Sequence, residues 1–105
     1  MANVVAARWR AKEGCEDRLA PLIAELIPLA CLEPGCPFYQ ANCSIEDPRL
    51  FFIYEQHVDE AGYRAHSESE HFAPPAHKPA IPQLLEDRQL EFFTTFYDDR
   101  VGLAG

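Results

Sequence analysis

The apolar residues change their period along the chain, and the order of those changes leaves few folds open. Over residues 4–11, Val5, Ala7, Trp9 and Ala11 alternate with Val4, Ala6, Arg8 and Arg10, the two-residue period of a strand, closed by the turn Lys12-Glu13-Gly14. From Glu16 to about Leu32 the period becomes helical, with Leu19, Leu22, Ile23, Leu26, Leu29 and Ala30 in one stripe. Pro21 is tolerated near the first turn, Pro28 is expected to kink or end the helix, and Glu33-Pro34-Gly35 stops it. Two strands follow, over 38–46 and 50–57, joined at Asp47-Pro48 as an antiparallel hairpin. Asp59 is placed to cap a second helix over 60–66. A polar, proline-containing loop over 67–78, a short helix over 81–85 and a last strand over 89–97 complete the order.

That order, β-α-β-β-α-β, implies an α+β fold of the ferredoxin-like plan: a four-stranded antiparallel sheet with both helices on one face. The third and last strands carry large apolar groups on both sides, Phe51 and Ile53 against Phe52 and Tyr54, then Phe92 and Phe96 against Phe93 and Tyr97. A single sheet would leave one of these faces in water as an aromatic patch. Sheet-to-sheet pairing of two copies covers it, so a homodimer, a dimeric α/β barrel, is expected.

At 105 residues the chain fits one domain, expected over 1–97 with a loosely ordered tail over 98–105. Nine Lys and Arg against seventeen Asp and Glu leave a formal charge of −8. So acidic a chain is a poor ligand for phosphate backbones and anionic bilayers, which argues against nucleic acid and membrane as partners. No run approaches the ~18 apolar residues of a membrane span. Residues 1–8 lack a basic stretch ahead of an apolar core, so no signal peptide is expected and the chain is placed in the cytoplasm. Cys15, Cys31, Cys36 and Cys43 form no Cys-x-x-Cys pair. They are expected as reduced thiols, buried or half-buried as small hydrophobes.

The run Leu50-Phe51-Phe52-Ile53-Tyr54-Glu55-Gln56-His57-Val58-Asp59-Glu60-Ala61, followed by Ala65-His66-Ser67-Glu68-Ser69-Glu70-His71-Phe72, resembles the signature of antibiotic biosynthesis monooxygenase domains. Glu33-Pro34-Gly35-Cys36 is similar to the Glu-x-Gly-Cys turn of that family. The resemblance covers roughly residues 3–97 and implies the dimeric ferredoxin-like barrel. It also implies one of several activities: oxygenation of phenolic polyketides or hydroquinones without metal or flavin, haem degradation, or processing of phosphorylated autoinducer-2. Haem degraders carry an asparagine on the first strand and a tryptophan near the end of the second helix, where this chain has Ala7 and His66. The position of His57 is often tryptophan in the family.

His66 matches the family's characteristic histidine, and an imidazole there can take a phenolic proton and leave a ring electron-rich enough to reduce dioxygen. Its structural alternative is a helix-terminal cap or a bond to Glu55. Glu55, in an aromatic strand, needs a partner; it orients His66 or pairs with Arg8 or Arg10. Tyr54 and Glu55 point to opposite faces, so at most one lines a given cavity. Trp9, Tyr39 and Phe51 are candidate walls of an aromatic pocket, or plain core. His71, Phe72 and His77 lie in the polar loop expected at the pocket mouth, as substrate contacts or solvated side chains. No metal is expected: His66, His71 and His77 are spaced by five and six, off any single helical face, and Cys31, Cys36 and Cys43 show no ligand pattern. No Gly-x-Ser-x-Gly elbow accompanies Ser67 or Ser69. The expected function is therefore cofactor-independent monooxygenation of a small aromatic, a quinol or polyketide phenol, with His66 and Glu55 as the catalytic pair. The alternatives are isomerisation of a small phosphorylated ketone with the same base, or a dimeric barrel that binds a ligand without catalysis.

Overall fold

A computed structural model describes residues 2–68, 80–99 and 102–103; His71, Phe72 and His77 lie outside the described residues. The strands are β1 (Asn3–Ala11), β2 (Phe38–Cys43), β3 (Leu50–His57) and β4 (Leu85–Thr94), in the antiparallel order β2-β3-β1-β4. Helices α1 (Glu16–Cys31), α2 (Glu60–Ser67) and the short α3 (Ala80–Leu84) complete the α+β ferredoxin-like fold. A two-residue ladder joins β5 (Tyr97–Asp98) to β6 (Gly102–Leu103). Among the described residues, no helix is long and apolar enough to cross a membrane.

Alternation decides which side chains reach the core. Val5, Ala7, Trp9 and Ala11 on β1 are buried, as are Phe51 and Ile53 on β3. Leu19, Ile23, Leu26 and Ala30 of α1 close over Ala7, Trp9, Phe51 and Ile53 in one cluster. Of the two outcomes expected at Pro28, a kink or an end, the end is corrected. The helix runs through both Pro21 and Pro28 to Cys31. Pro28 has no N–H for the Ala24 carbonyl, yet Leu26 and Ala30 on either side of it are both fully buried. Keeping that apolar stripe against the sheet outweighs one absent hydrogen bond.

Three further boundaries differ. Strand β2 ends at Cys43 rather than Glu46, because Ser44 Oγ accepts from the Glu46 and Asp47 amides and turns the chain. The last strand starts at Leu85 and ends at Thr94, four residues earlier than expected at its start. Its polar opening, Leu85-Glu86-Asp87-Arg88, lacks strand-like alternation because β4 is an exposed sheet edge, where polar residues are at home. Cys36 is buried and Cys15 half-buried, but Cys31 and Cys43 are exposed, which corrects the expectation that all four sit inside; all four are free thiols.

The face turned away from the helices carries Phe52, Tyr54, Phe38 and Phe93 across three strands. Phe93 is 45% exposed and Phe38 39%. The open aromatic face expected from the pattern is therefore present in the single chain.

Candidate active site

The site is assembled by two glycines in contact. Gly35, in the turn before β2, lies against Gly62 of α2 so closely that a Cβ on either would come within 2.9 Å of the other's backbone. The Gly35 carbonyl accepts from the Val58 amide at 2.9 Å, and Asp59 caps α2 by accepting from the Gly62 amide at 2.8 Å, as expected from the sequence. This contact brings the turn holding Glu33 onto the helix holding His66. His66 Nδ1–H donates to both carboxylate oxygens of Glu33, at 3.0 and 3.1 Å.

The other ring nitrogen faces inward. His66 Nε2 stands 3.4 Å from Glu55 Oε1, and the same oxygen accepts from His57 Nε2–H at 2.9 Å. Among the described residues, Glu55 (6% exposed), His57 (0%) and His66 (4%) are the buried polar and charged ones. The imidazoles of His57 and His66 lie 5.0 Å apart, and Tyr63 meets His57 edge-on at 5.3 Å. Burial pulls His66 down to about 4; Glu55 opposes that shift and His57 adds to it. At neutral pH the ring is therefore neutral, its proton held on Nδ1 by Glu33 and its Nε2 lone pair turned toward Glu55. Burial also pushes the Tyr39 hydroxyl well above the usual phenol range, and the Tyr63 hydroxyl upward, so both stay protonated.

Beside this cluster is a cleft of about 190 Å³ lined by Val5, Ala7, Trp9, Tyr39, Glu55, Tyr63, His66, Ser67, Arg88 and Leu90. Arg88 lies over the Trp9 ring, 5.1 Å from its centroid. Of the expected site residues, the fold brings together His66, Glu55, Trp9 and Tyr39. Phe51 does not line the cleft but packs in the core beneath α1. Tyr54 is on the opposite face, stacked edge-on with Phe38 at 5.7 Å and donated to by Gln56 Nε2. Glu55 pairs with neither arginine offered to it: Arg10 is bound to Asp47, and Glu55 is held by histidine.

Sequence reasoning missed Glu33, His57, Tyr63 and Arg88 as site residues. His57 carried a legible signal, being two residues from Glu55 on the same strand and hence on the same face. Glu33 carried only its place in the Glu-x-Gly-Cys turn. Neither Tyr63 nor Arg88 stands out without the register that sets Arg88 beside Trp9.

The sequence model of the family described as antibiotic biosynthesis monooxygenase matches residues 3–74. Among solved structures, a protein from Shewanella oneidensis is 30% identical, with 88% of each chain covered and a TM-score of 0.80. A structure named antibiotic biosynthesis monooxygenase is 27% identical over 90% of this chain and 97% of that one, TM-score 0.78. A conserved protein from Methanosarcina mazei, 23% identical over 89% and 91% with a TM-score of 0.80, shares the fold. No curated protein matches. The family match spans most of the chain, and the fold agrees with the solved structures it resembles: the chain belongs to the antibiotic biosynthesis monooxygenase family.

Proposed function

We propose that the cleft beside His66 oxygenates a single-ring phenol or hydroquinone with dioxygen, drawing all electrons from the substrate and using no cofactor. The observation that carries this reading is the asymmetric seating of His66. Glu33 fixes the proton on Nδ1, so Nε2 is the basic atom, and Nε2 is the one turned to the cleft-lining Glu55. The base takes the phenolic proton, and the imidazolium so formed lies between two carboxylates that stabilise it, the logic of a carboxylate-oriented histidine. Among the described residues, Arg88 is the cation that lines the cleft and can face the phenolate. The electron-rich ring then reduces dioxygen: a hydroquinone plus O2 gives a hydroxyquinone plus water, one oxygen atom entering the ring and the other leaving as water.

Size selects within the expected substrate classes. An apolar cavity of about 150 Å³ accommodates benzene, and pockets for drug-sized ligands begin near about 300 Å³. The described residues enclose about 190 Å³, which suits one ring better than a fused polyketide. Trp9 and Tyr39 supply the apolar walls.

The open aromatic face supports a homodimer as the working assembly. Phe38, Tyr54, Phe93, Phe96 and Tyr97 line a groove of about 550 Å³ on that face, and a second copy buries them without new chemistry.

Oxygen uptake with a panel of substituted hydroquinones tests the activity. His66→Ala should lower kcat by about 10²–10⁴-fold while the variant keeps its far-ultraviolet spectrum and its oligomeric state. Unchanged turnover would remove His66 as the base. Absence of uptake across the panel, with ligand binding retained, would favour the binding barrel.

A further inference from the structure

Glu55, His57 and His66 bring one carboxylate and two imidazoles together in a buried cluster. Glu33 and Glu55 converge on one buried imidazole from opposite ends, and His57 offers a second ring to the same Glu55 oxygen. Two carboxylates beside buried rings are costly unless a positive charge balances them. A divalent cation held by Glu55, His57 and His66 would bring such a charge to the cluster.

We propose that Glu55, His57 and His66 form a binding site for a divalent transition metal of the zinc or cobalt type. One donor atom from each residue lies within 4.8 Å of the other two, and all three residues are buried. In a tetrahedral site with bonds of about 2.0–2.2 Å, neighbouring donors stand roughly 3.3–3.5 Å apart. Glu55 Oε1 and His66 Nε2 are already at 3.4 Å, and the 2.9 Å to His57 Nε2 must open by a few tenths. Two imidazoles and one carboxylate favour zinc, cobalt or iron over calcium or magnesium, which take all-oxygen shells.

The surroundings fit the same assignment. Glu33 holds His66 Nδ1–H, the outer carboxylate that orients metal-bound histidines and raises their basicity. Two of the three residues, Glu55 and His66, line the cleft, so the cluster borders it. Metal and proton compete for His66 Nε2; resting on the base reading above, metal loading should abolish cofactor-free turnover.

The test is a cobalt(II) titration of the full chain, stripped with EDTA and with its exposed thiols removed as Cys31→Ser and Cys43→Ser. One ion per chain is expected, with visible ligand-field bands and no near-ultraviolet thiolate charge-transfer band. Glu33→Gln, at a partly exposed position that leaves the ligands in place, should weaken binding about 10–100-fold, and Glu55→Gln should weaken it further. Absence of ligand-field bands, a thiolate band, or an affinity unchanged by both substitutions would overturn the site. Cobalt binding is read without turnover, so failure of the oxygenase reading leaves this result standing, and the converse also holds.

Discussion

Successive residues of β3 meet opposite surroundings. Toward the helices lie Phe51, Ile53, Glu55 and His57, all buried; away from them lie Phe52, Tyr54 and Gln56, half-buried. On the closed side the strand ends in a carboxylate and an imidazole, where apolar side chains would pack more cheaply. On the open side it presents aromatic rings, where polar residues would be soluble. Stability alone explains neither choice. The buried polar pair makes sense as chemistry, and the exposed rings make sense as a surface that another chain covers.

The largest effect is expected where the open face is broken. Phe93→Asp puts a charge on the open aromatic face, at its β4 side, and in a twofold interface it does so twice. If each copy costs about 2 kcal/mol, as central aromatic contacts commonly do, dimer affinity falls roughly 10³-fold. Sedimentation velocity should then report a dimer for the unaltered protein and a monomer for the variant. A chain that is already monomeric at high concentration would break the comparison itself, leaving the rings without an explanation.

A smaller effect is expected at the contact that builds the closed side. In Gly62→Ala the new Cβ would lie 2.9 Å from the Gly35 carbonyl oxygen and 3.3 Å from Val58 Cγ2. Overpacking of this kind costs about 1–3 kcal/mol, and the better helix propensity of alanine returns at most about 1 kcal/mol. Net destabilisation of about 1–2 kcal/mol should appear in urea unfolding. Turnover should fall as well, because widening this contact draws Glu33 away from His66. Unchanged stability with full turnover would show that the glycine contact does not position the site.

How much of this was legible in the sequence follows from the range of each interaction. The strand and helix periods, the Asp59 cap and the two-sided aromatic strands are local signals, and each is reproduced in the fold. Strand β4 was misplaced because an edge strand need not alternate, and Pro28 misled because the burial of Leu26 and Ala30 is tertiary. The active-site pairing was harder still. Glu33 and His66 are far apart in sequence and meet only through the Gly35–Gly62 contact. Sequence could offer Glu55 as the residue that orients His66; the fold gives Nδ1 to Glu33 and leaves Glu55 at Nε2.

The smallest effect is the most informative about the closed side. His66 is held near 4 in the folded chain, chiefly by burial, against an ordinary value of 6.5. Between those values the unfolded chain binds a proton that the native chain refuses, so stability is lost as pH falls through that window. Full linkage would amount to roughly 3 kcal/mol, but solvent screening and the flanking carboxylates reduce the expected loss to about 1 kcal/mol. Carboxylates titrate over part of the same range, so the quantity to compare is the slope of unfolding free energy against pH in the unaltered chain and in His66→Gln. The glutamine variant should be flatter between pH 6.5 and 4, whereas Phe93→Asp should not flatten it. The same assignment predicts that kcat/KM for a hydroquinone holds level as pH drops through 6.5 and declines only toward 4. An acid limb centred on 6.5 would mean that His66 titrates as a solvated histidine, and that the closed side does not hold its base in the neutral form.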